Sequence, residues 1–253
     1  MRDPAAAWIP LDRALRAFAS GDGEATLTVH TDLGGRDLLS VSHFFRTPQE
    51  MSLVERTALR LARPPRILDL GAGAGAHAVP LAERGLKVTA VEVLPAAVDI
   101  LRERGISDVR LAGAGARAGA GADAGGRGGT LGLDALRAGE RFDTILLLMN
   151  GPGLAGTRAA FTRFLQGLQP FVAAGGQLLA DSTDTEGWEA PGDGRAPGEL
   201  HMVLEFHGER GPAIPYLFLA PDAMRACAAE ADWAVEVAAR DGTRYLARLT
   251  PRL

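Results

Sequence analysis

The 253-residue chain has one cysteine, Cys227. That excludes an internal disulfide and any paired-cysteine zinc or redox centre, and a reducing cytoplasm is the expected compartment. Lysine is nearly missing, with Lys87 alone, and 27 basic residues face 31 acidic ones for a net charge of −4. Such a balance does not build the broad basic face that nucleic-acid phosphates require, so no nucleic-acid partner is expected. No uncharged apolar run approaches the ~18 residues that a membrane-spanning helix needs. The opening stretch, MRDPAAAWIPLDRALRAF, carries charges inside its apolar positions and is not expected to act as a signal peptide. No group of residues has the spacing of a convincing metal site. His201, Glu205 and His207 come nearest, and the polarity of a surface strand accounts for them.

What the chain does have is apolar residues, at 47 %, enough for one sizeable core. Leu11 to Ala19 reads as a helix, 25–31 as a strand, and Pro48 as the opening of an amphipathic helix that ends before Pro64 and Pro65. From there strands and helices alternate. Strands are expected at 66–71, 87–93, 108–113, 141–150 and 175–182, with helices at 76–85, 95–105 and 157–172. Pro80 must kink the first of these helices or lie in its first turn. Near-continuous apolar strands separated by helices predict an α/β fold, with a mostly parallel, Rossmann-like sheet covered on both faces. Residues 198–220 read as two strands about a glycine-rich turn and 221–233 as a helix. Residues 234–249 read as an antiparallel hairpin turning at Asp241-Gly242. Residues 112–129 contain only Ala and Gly apart from Arg117, Asp123 and Arg127, and are expected to be a flexible insertion.

The stretch ILDLGAGAGAH, 67–77, follows one strand and opens a helix. Gly71 permits a sharp exit from the strand, and Gly73 and Gly75 let a ligand approach the backbone. Glu92 ends the next strand 21 positions after Gly71, near the spacing of ~20 at which such an acid meets ribose hydroxyls. Gly71, Gly73 and Ala76 also satisfy G-x-G-x-x-A, which leaves a dinucleotide open. Asp69 argues the other way. A carboxylate two residues before the first glycine repels a diphosphate at close range and suits a cation. S-adenosylmethionine carries an ammonium and a sulfonium and no phosphate. A loop or helix cap is the alternative role for Asp69.

The stretch from Ile67 to Gly105, with FDTILLLMNGPGLAGT and GGQLLADSTD, resembles the class I S-adenosylmethionine-dependent methyltransferases. The segment VSHFFRTPQEMSLVERTAL resembles the lead-in of a bacterial subfamily acting on small molecules. The resemblance covers roughly 40–250. It implies a seven-stranded sheet, with cofactor across the carboxyl ends of the first strands. Asp69, Gly71, Ala72, Gly73 and Gly75 would then surround its methionine part. Glu92 would hold the ribose, Val93 and Leu94 would flank the adenine, and Asn150 and Gly151 would lie where methyl meets acceptor. The resemblance also divides the chain into a lid segment at 1–63, a cofactor-binding core at 64–182, an insertion at 183–220 that forms a possible substrate lid, and the end of the core sheet at 221–253. One departure stands out. The acid that usually follows the third strand of this sheet is missing near Gly113, so adenine recognition falls to backbone groups or to a residue beyond the insertion, such as Leu131 or Leu133.

Methyl transfer from a sulfonium needs alignment more than acid or base. His43 is the candidate base, with an ordinary packed histidine as the alternative. Asn150 is the candidate to hydrogen-bond the acceptor or shape its turn. Phe44, Phe45 and Arg46 are candidates to wall the pocket, with Arg46 paired to a carboxylate, or else core phenylalanines and a surface charge. Asp181 and Tyr216 are candidates to touch a small-molecule acceptor. Trp188 is a further possible cover for an apolar acceptor. The sequence NGPG at 150–153 is not the Asn/Asp-Pro-Pro-aromatic signature of many amino-methylating enzymes. A nicotinamide-dependent oxidoreductase and a catalytically silent cofactor-binding domain remain the alternatives. The chain has no recognisable Tyr-x-x-x-Lys pair for the former.

Overall fold

The structure, a computed structural model, describes residues 4–113 and 132–252. Most of the Ala/Gly run expected to be flexible, and Leu131, lie outside the described residues.

The larger sheet is built from β3 (Arg66–Leu70), β4 (Lys87–Glu92), β5 (Asp108–Leu111), β6 (Phe142–Leu147), β7 (Val172–Thr183), β11 (Trp233–Asp241) and β12 (Arg244–Pro251). Its order is β11-β12-β7-β6-β3-β4-β5. Only β12 runs against its neighbours. Successive side chains alternate between the faces. Ile67, Leu146, Leu179 and Leu246 pack on one side with Val54, Ala58, Leu81 and Leu101, residues of α2 (Leu53–Leu61), α3 (Ala78–Glu83) and α4 (Pro95–Glu103). Leu68, Ile145, Leu178 and Tyr245 pack on the other with Phe161, Phe164 and Met224, from α5 (Arg158–Leu168) and α6 (Pro221–Glu230). Trp233 is fully buried there, and its indole N–H donates to the Leu165 carbonyl at 3.0 Å, so burying the ring strands no polar group.

A second sheet joins two distant parts of the chain. β1 (Thr26–Thr31) and β2 (Arg36–Ser40) form a hairpin, while β8 (Glu199–Phe206), β9 (Glu209–Arg210) and β10 (Ile214–Leu217) come from the C-terminal half. The order is β10-β8-β1-β2, with β9 on β8, and β1 meets β8 in the register Thr28↔Glu205 to Thr31↔Met202. Along β8, Leu200, Met202, Leu204 and Phe206 are buried while His201 is exposed. That alternation lays an apolar face on Leu11 and Leu15 of α1 (Ile9–Ala19).

Several boundaries differ from the pattern expected of the sequence. The helix expected from Pro48 begins at Leu53. Ser52 is the reason: its side chain accepts from the Glu55 amide at 3.3 Å, and Glu55 returns a bond to the Ser52 amide at 3.1 Å. This reciprocal cap fixes the first turn five residues later. Pro80 falls in the first turn of a six-residue α3 and does not kink it. β6 stops at Leu147, because Met149 and Asn150 both take left-handed backbone angles, φ 61° and 57°. The C-terminal hairpin pairs Asp241 with Arg244, so its two loop residues are Gly242-Thr243 and not Asp241-Gly242. β2, RDLLS, was not expected at all. It is a largely exposed edge strand with no alternation to reveal it.

The cap on α2 gives a direct test. Ser52→Ala should lower unfolding free energy by about 1 kcal/mol, read as a lower urea midpoint. An unchanged midpoint would show that the cap does not set this helix.

Candidate functional site

Strand order reverses at β3, which has β4 on one side and β6 on the other. A crevice opens at the carboxyl edge of an open sheet at such a point. The glycine turn lies there. Gly71, Gly73 and Gly75 have φ of 69°, 55° and 90°, a region that side chains disfavour. A Cβ on Gly73 would stand 3.3 Å from the Phe44 ring, and one on Gly75 2.9 Å from Leu101. The turn spends its amides within the protein. Gly71 donates to the Val91 carbonyl at 2.9 Å and Gly75 to that of Ala72 at 2.9 Å. Gly73 donates to Glu92 Oε1 at 3.2 Å, and Ala72 to Val91 at 3.3 Å. Glu92 Oε2 accepts from the amides of Val93 at 2.5 Å and Leu94 at 3.2 Å. Burial raises the Glu92 carboxyl, those three amides oppose the rise, and the charge of Asp69 adds to it.

Asp69 is buried, and its Oδ2 has no hydrogen-bond partner. Burial pushes its carboxyl up to about 6, with His77 pulling weakly the other way. His77 cannot serve as a full counter-charge, because burial lowers its own pKa. Its Nε2 lies 3.0 Å from Glu55 Oε1, and Glu55 also takes the guanidinium of Arg46. The Arg46 guanidinium is therefore already committed to Glu55, and that of Arg104 to the Ala74 carbonyl of the turn at 2.6 Å. Asp69 is left as a buried carboxylate short of both a hydrogen bond and a cation, a costly state unless a ligand supplies them.

Beside the turn is a cavity of about 370 Å³. Gly71, Gly73, Val91, Glu92, Val93, Leu94, Ala112, Gly113, Gly132 and Asp134 line one end. The second-sheet residues Leu27, Val29, Leu39, Met202, Leu204 and Tyr216, with Trp8, line the other, while Phe44 stands over Gly73 and Leu11 and Leu15 come from α1, which packs on α4. Leu148, Met149, Gly151 and Leu154 form the floor between them. Asp134 was not among the expected residues. Its Oδ2 accepts from the Gly113 amide at 2.7 Å, which brings a carboxylate to the place after β5 where the sequence has none. The signal was the single acid in TLGLDAL, directly after Leu133 and just past the Ala/Gly run.

The expected acceptor-side residues divide. Tyr216 lines the cavity, and its hydroxyl donates to the Asn150 carbonyl at 3.4 Å. Gly153 must be glycine here, since a Cβ would collide with the Tyr216 ring. Asn150 lies under the floor, where its side chain bonds the Leu217 carbonyl at 3.0 Å and the Ser182 hydroxyl at 2.8 Å. Asp181 is fully buried between the Asn150 amide, 3.0 Å, and Arg244, 2.7 Å. Phe44 reaches the cavity, but Phe45 turns to stack on Phe18 at 4.6 Å and Arg46 turns to Glu55. Neither of those two lines the cavity. His43 does not line it either, and burial, with Arg46 next, lowers its ring to about 4. Ala72 is buried behind the turn. Trp188 packs on Phe218 at 5.6 Å, which in turn meets Tyr216 at 5.4 Å. His201 pairs with Asp32 and Glu205 with His30, and His207 lies beyond the strand with φ 49°. No cluster able to hold a metal ion occurs among the described residues, and no helix among them is long and apolar enough to cross a membrane.

The raised Asp69 carboxyl has a consequence for the ligand-free protein. It holds its proton to a higher pH when folded than when unfolded, so burial is harmless below about pH 4 and stability falls as pH rises through about 6. The shift amounts to on the order of 3 kcal/mol. Asp69→Asn should be the more stable protein at pH 7.5 and should lose this part of the slope, measured by urea unfolding at pH 5 and 7.5. Equal slopes in both proteins would mean that Asp69 is not isolated.

No protein-family model matches the chain, and no curated protein does. Solved structures do. A SAM-dependent methyltransferase from Bacteroides fragilis, crystallised with S-adenosyl-L-homocysteine, is 29 % identical with a TM-score of 0.79, covering 100 % of this chain and 98 % of that one. The CcbJ methyltransferase of Streptomyces caelestis shares the fold at 16 % identity and TM-score 0.54, over 79 % of this chain and 89 % of that one. A sugar N-methyltransferase from Streptoalloteichus does so at 18 % and 0.50, over 83 % and 88 %. Sheet order, glycine turn and end-to-end likeness together make the chain similar over its whole length to class I S-adenosylmethionine-dependent methyltransferases.

Proposed function

We propose that the chain moves a methyl group from S-adenosylmethionine to a small-molecule acceptor by in-line displacement. The observation that carries this reading is the pair of acids about the glycine turn. Glu92 already occupies the Gly73 amide, and Asp69 lies behind the turn with an unpartnered oxygen. A diphosphate brought there would meet two carboxylates and few free amides. The ammonium of S-adenosylmethionine answers the need of Asp69. Glu92 accepts from the ribose hydroxyls with its remaining lone pairs. Asp134, beside Gly113, accepts from the adenine amino group, and Val93 and Leu94 flank the ring.

When bound, the cofactor supplies a methyl group already activated by the positive sulfur. The protein contributes placement, which removes much of the entropic part of the barrier. Gly71 and Gly73 allow Leu154 and Phe44 to close on the turn, since a Cβ at either would stand 3.2 and 3.3 Å from those side chains. The strained turn at Met149 and Asn150 sets the floor beneath it, an arrangement that sites of chemistry often carry. Asn150 acts through the shape of this turn, and the Tyr216 ring borders the acceptor while its hydroxyl holds the Asn150 carbonyl. His43 is a weak base at about 4 and does not line the cavity, so the acceptor atom attacks with its own lone pair and any proton it carries passes to solvent.

Calorimetric titration of S-adenosylmethionine, S-adenosylhomocysteine and NAD tests the reading. Both sulfur nucleosides should bind and NAD should not. Glu92→Ala and Asp134→Ala should each weaken the sulfur nucleosides about tenfold or more, the scale of a lost charge-assisted hydrogen bond. Binding of NAD alone overturns the proposal, and binding of none points to a silent domain.

A further inference from the structure

The far end of the cavity has a chemistry of its own. Its wall is the inner face of the second sheet, where Val29, Leu39, Met202 and Leu204 stand side by side, closed by Trp8 from the N-terminal segment. Register produces this face: Val29 lies opposite Leu204, and Leu27 opposite Leu39. No Lys, Arg or His lines the cavity among the described residues. The two charged groups that do, Glu92 and Asp134, are both acids at the cofactor end and both accept backbone amides there. Among the described residues, Tyr216 is the one hydroxyl-bearing side chain that lines the apolar end, and its hydroxyl donates to the Asn150 carbonyl.

These observations decide between acceptor classes. An anionic acceptor would lose its hydration and find no cation lining the cavity among the described residues. A sugar would bring several hydroxyls to a wall with a single hydroxyl to meet them, and each unmatched group carries a desolvation penalty. An apolar ring gains from burial on every side. We infer that the acceptor is an uncharged, predominantly apolar small molecule of ring size, seated between the second sheet and Trp8 with one nucleophilic atom turned toward Tyr216 and the Met149 turn. The inference rests on the methyltransferase reading, because it assigns the glycine-turn end to the cofactor.

The probes are 2-naphthol and its 6-sulfonate, which share a ring system and differ by one negative charge. Each is titrated into full-length protein saturated with S-adenosylhomocysteine, so that the adenine end is filled. Binding is followed by calorimetry and by the fluorescence of Trp8, with Trp8→Phe as the optical control. The naphthol should bind at least tenfold more tightly than the sulfonate. Val29→Asp should abolish naphthol binding and leave S-adenosylhomocysteine binding within twofold. If that variant does not fold, the comparison of the two probes on the unmodified chain still decides. Equal or tighter binding of the sulfonate, or no binding of either probe to the loaded protein, overturns the acceptor class while the methyltransferase reading stands. Failure of S-adenosylhomocysteine itself to bind overturns both.

Discussion

A buried carboxylate with one unpartnered oxygen is the constraint around which this site is organised. Asp69 sits on β3 on the same face as Ile67, with the turn above it and helix residues around it. Burial lowers the pKa of the neighbouring His77, and the Arg46 guanidinium belongs to Glu55. Folding therefore leaves negative charge directly beneath a turn that could otherwise hold an anion. Glu92 extends the same bias along the crevice. The choice between a phosphate-bearing cofactor and a cationic one follows from that charge, not from the glycines, which suit either.

The Arg46, Glu55 and His77 group gives this site its mechanical frame. Glu55 caps α2, takes the Arg46 guanidinium and meets His77 just after the turn. One side chain thus ties the segment that carries Phe44 to the loop that Phe44 covers. Removing one partner of a buried pair strands the other, so such groups hold geometry even where their net stabilisation is small. The second sheet adds the opposite wall. It is assembled only when residues 26–40 meet residues 199–217, so the cavity exists as a whole only in the completed fold.

The sequence made the larger sheet legible because β3, β4 and β6 are buried on both faces and read as unbroken apolar runs. The places of Asp69, the glycines and Glu92 in the fold were legible for the same reason, since strand ends fix them, but of these only Gly71, Gly73 and Glu92 line the cavity. The second sheet was not. Its strands were visible one by one, but their partners lie about 170 positions apart and nothing local encodes that pairing. β2 escaped notice as an exposed edge. Asp134 was hidden by the Ala/Gly run, which separates it from the strand whose end it serves. Phe45 and Arg46 show the limit of arguing from neighbours in sequence. Adjacent to a cavity residue, both turn away, one to an aromatic partner and one to an acid.

The claim that Asp69 awaits a cation can be read from protons. With a free carboxyl near 6, binding of an ammonium at pH 6 must expel about half a proton from the protein. Calorimetry of S-adenosylmethionine binding at pH 6, in two buffers of different ionisation enthalpy, counts that proton. The account predicts its release by the natural chain and no release by Asp69→Asn. Identical proton counts for the two proteins would contradict it.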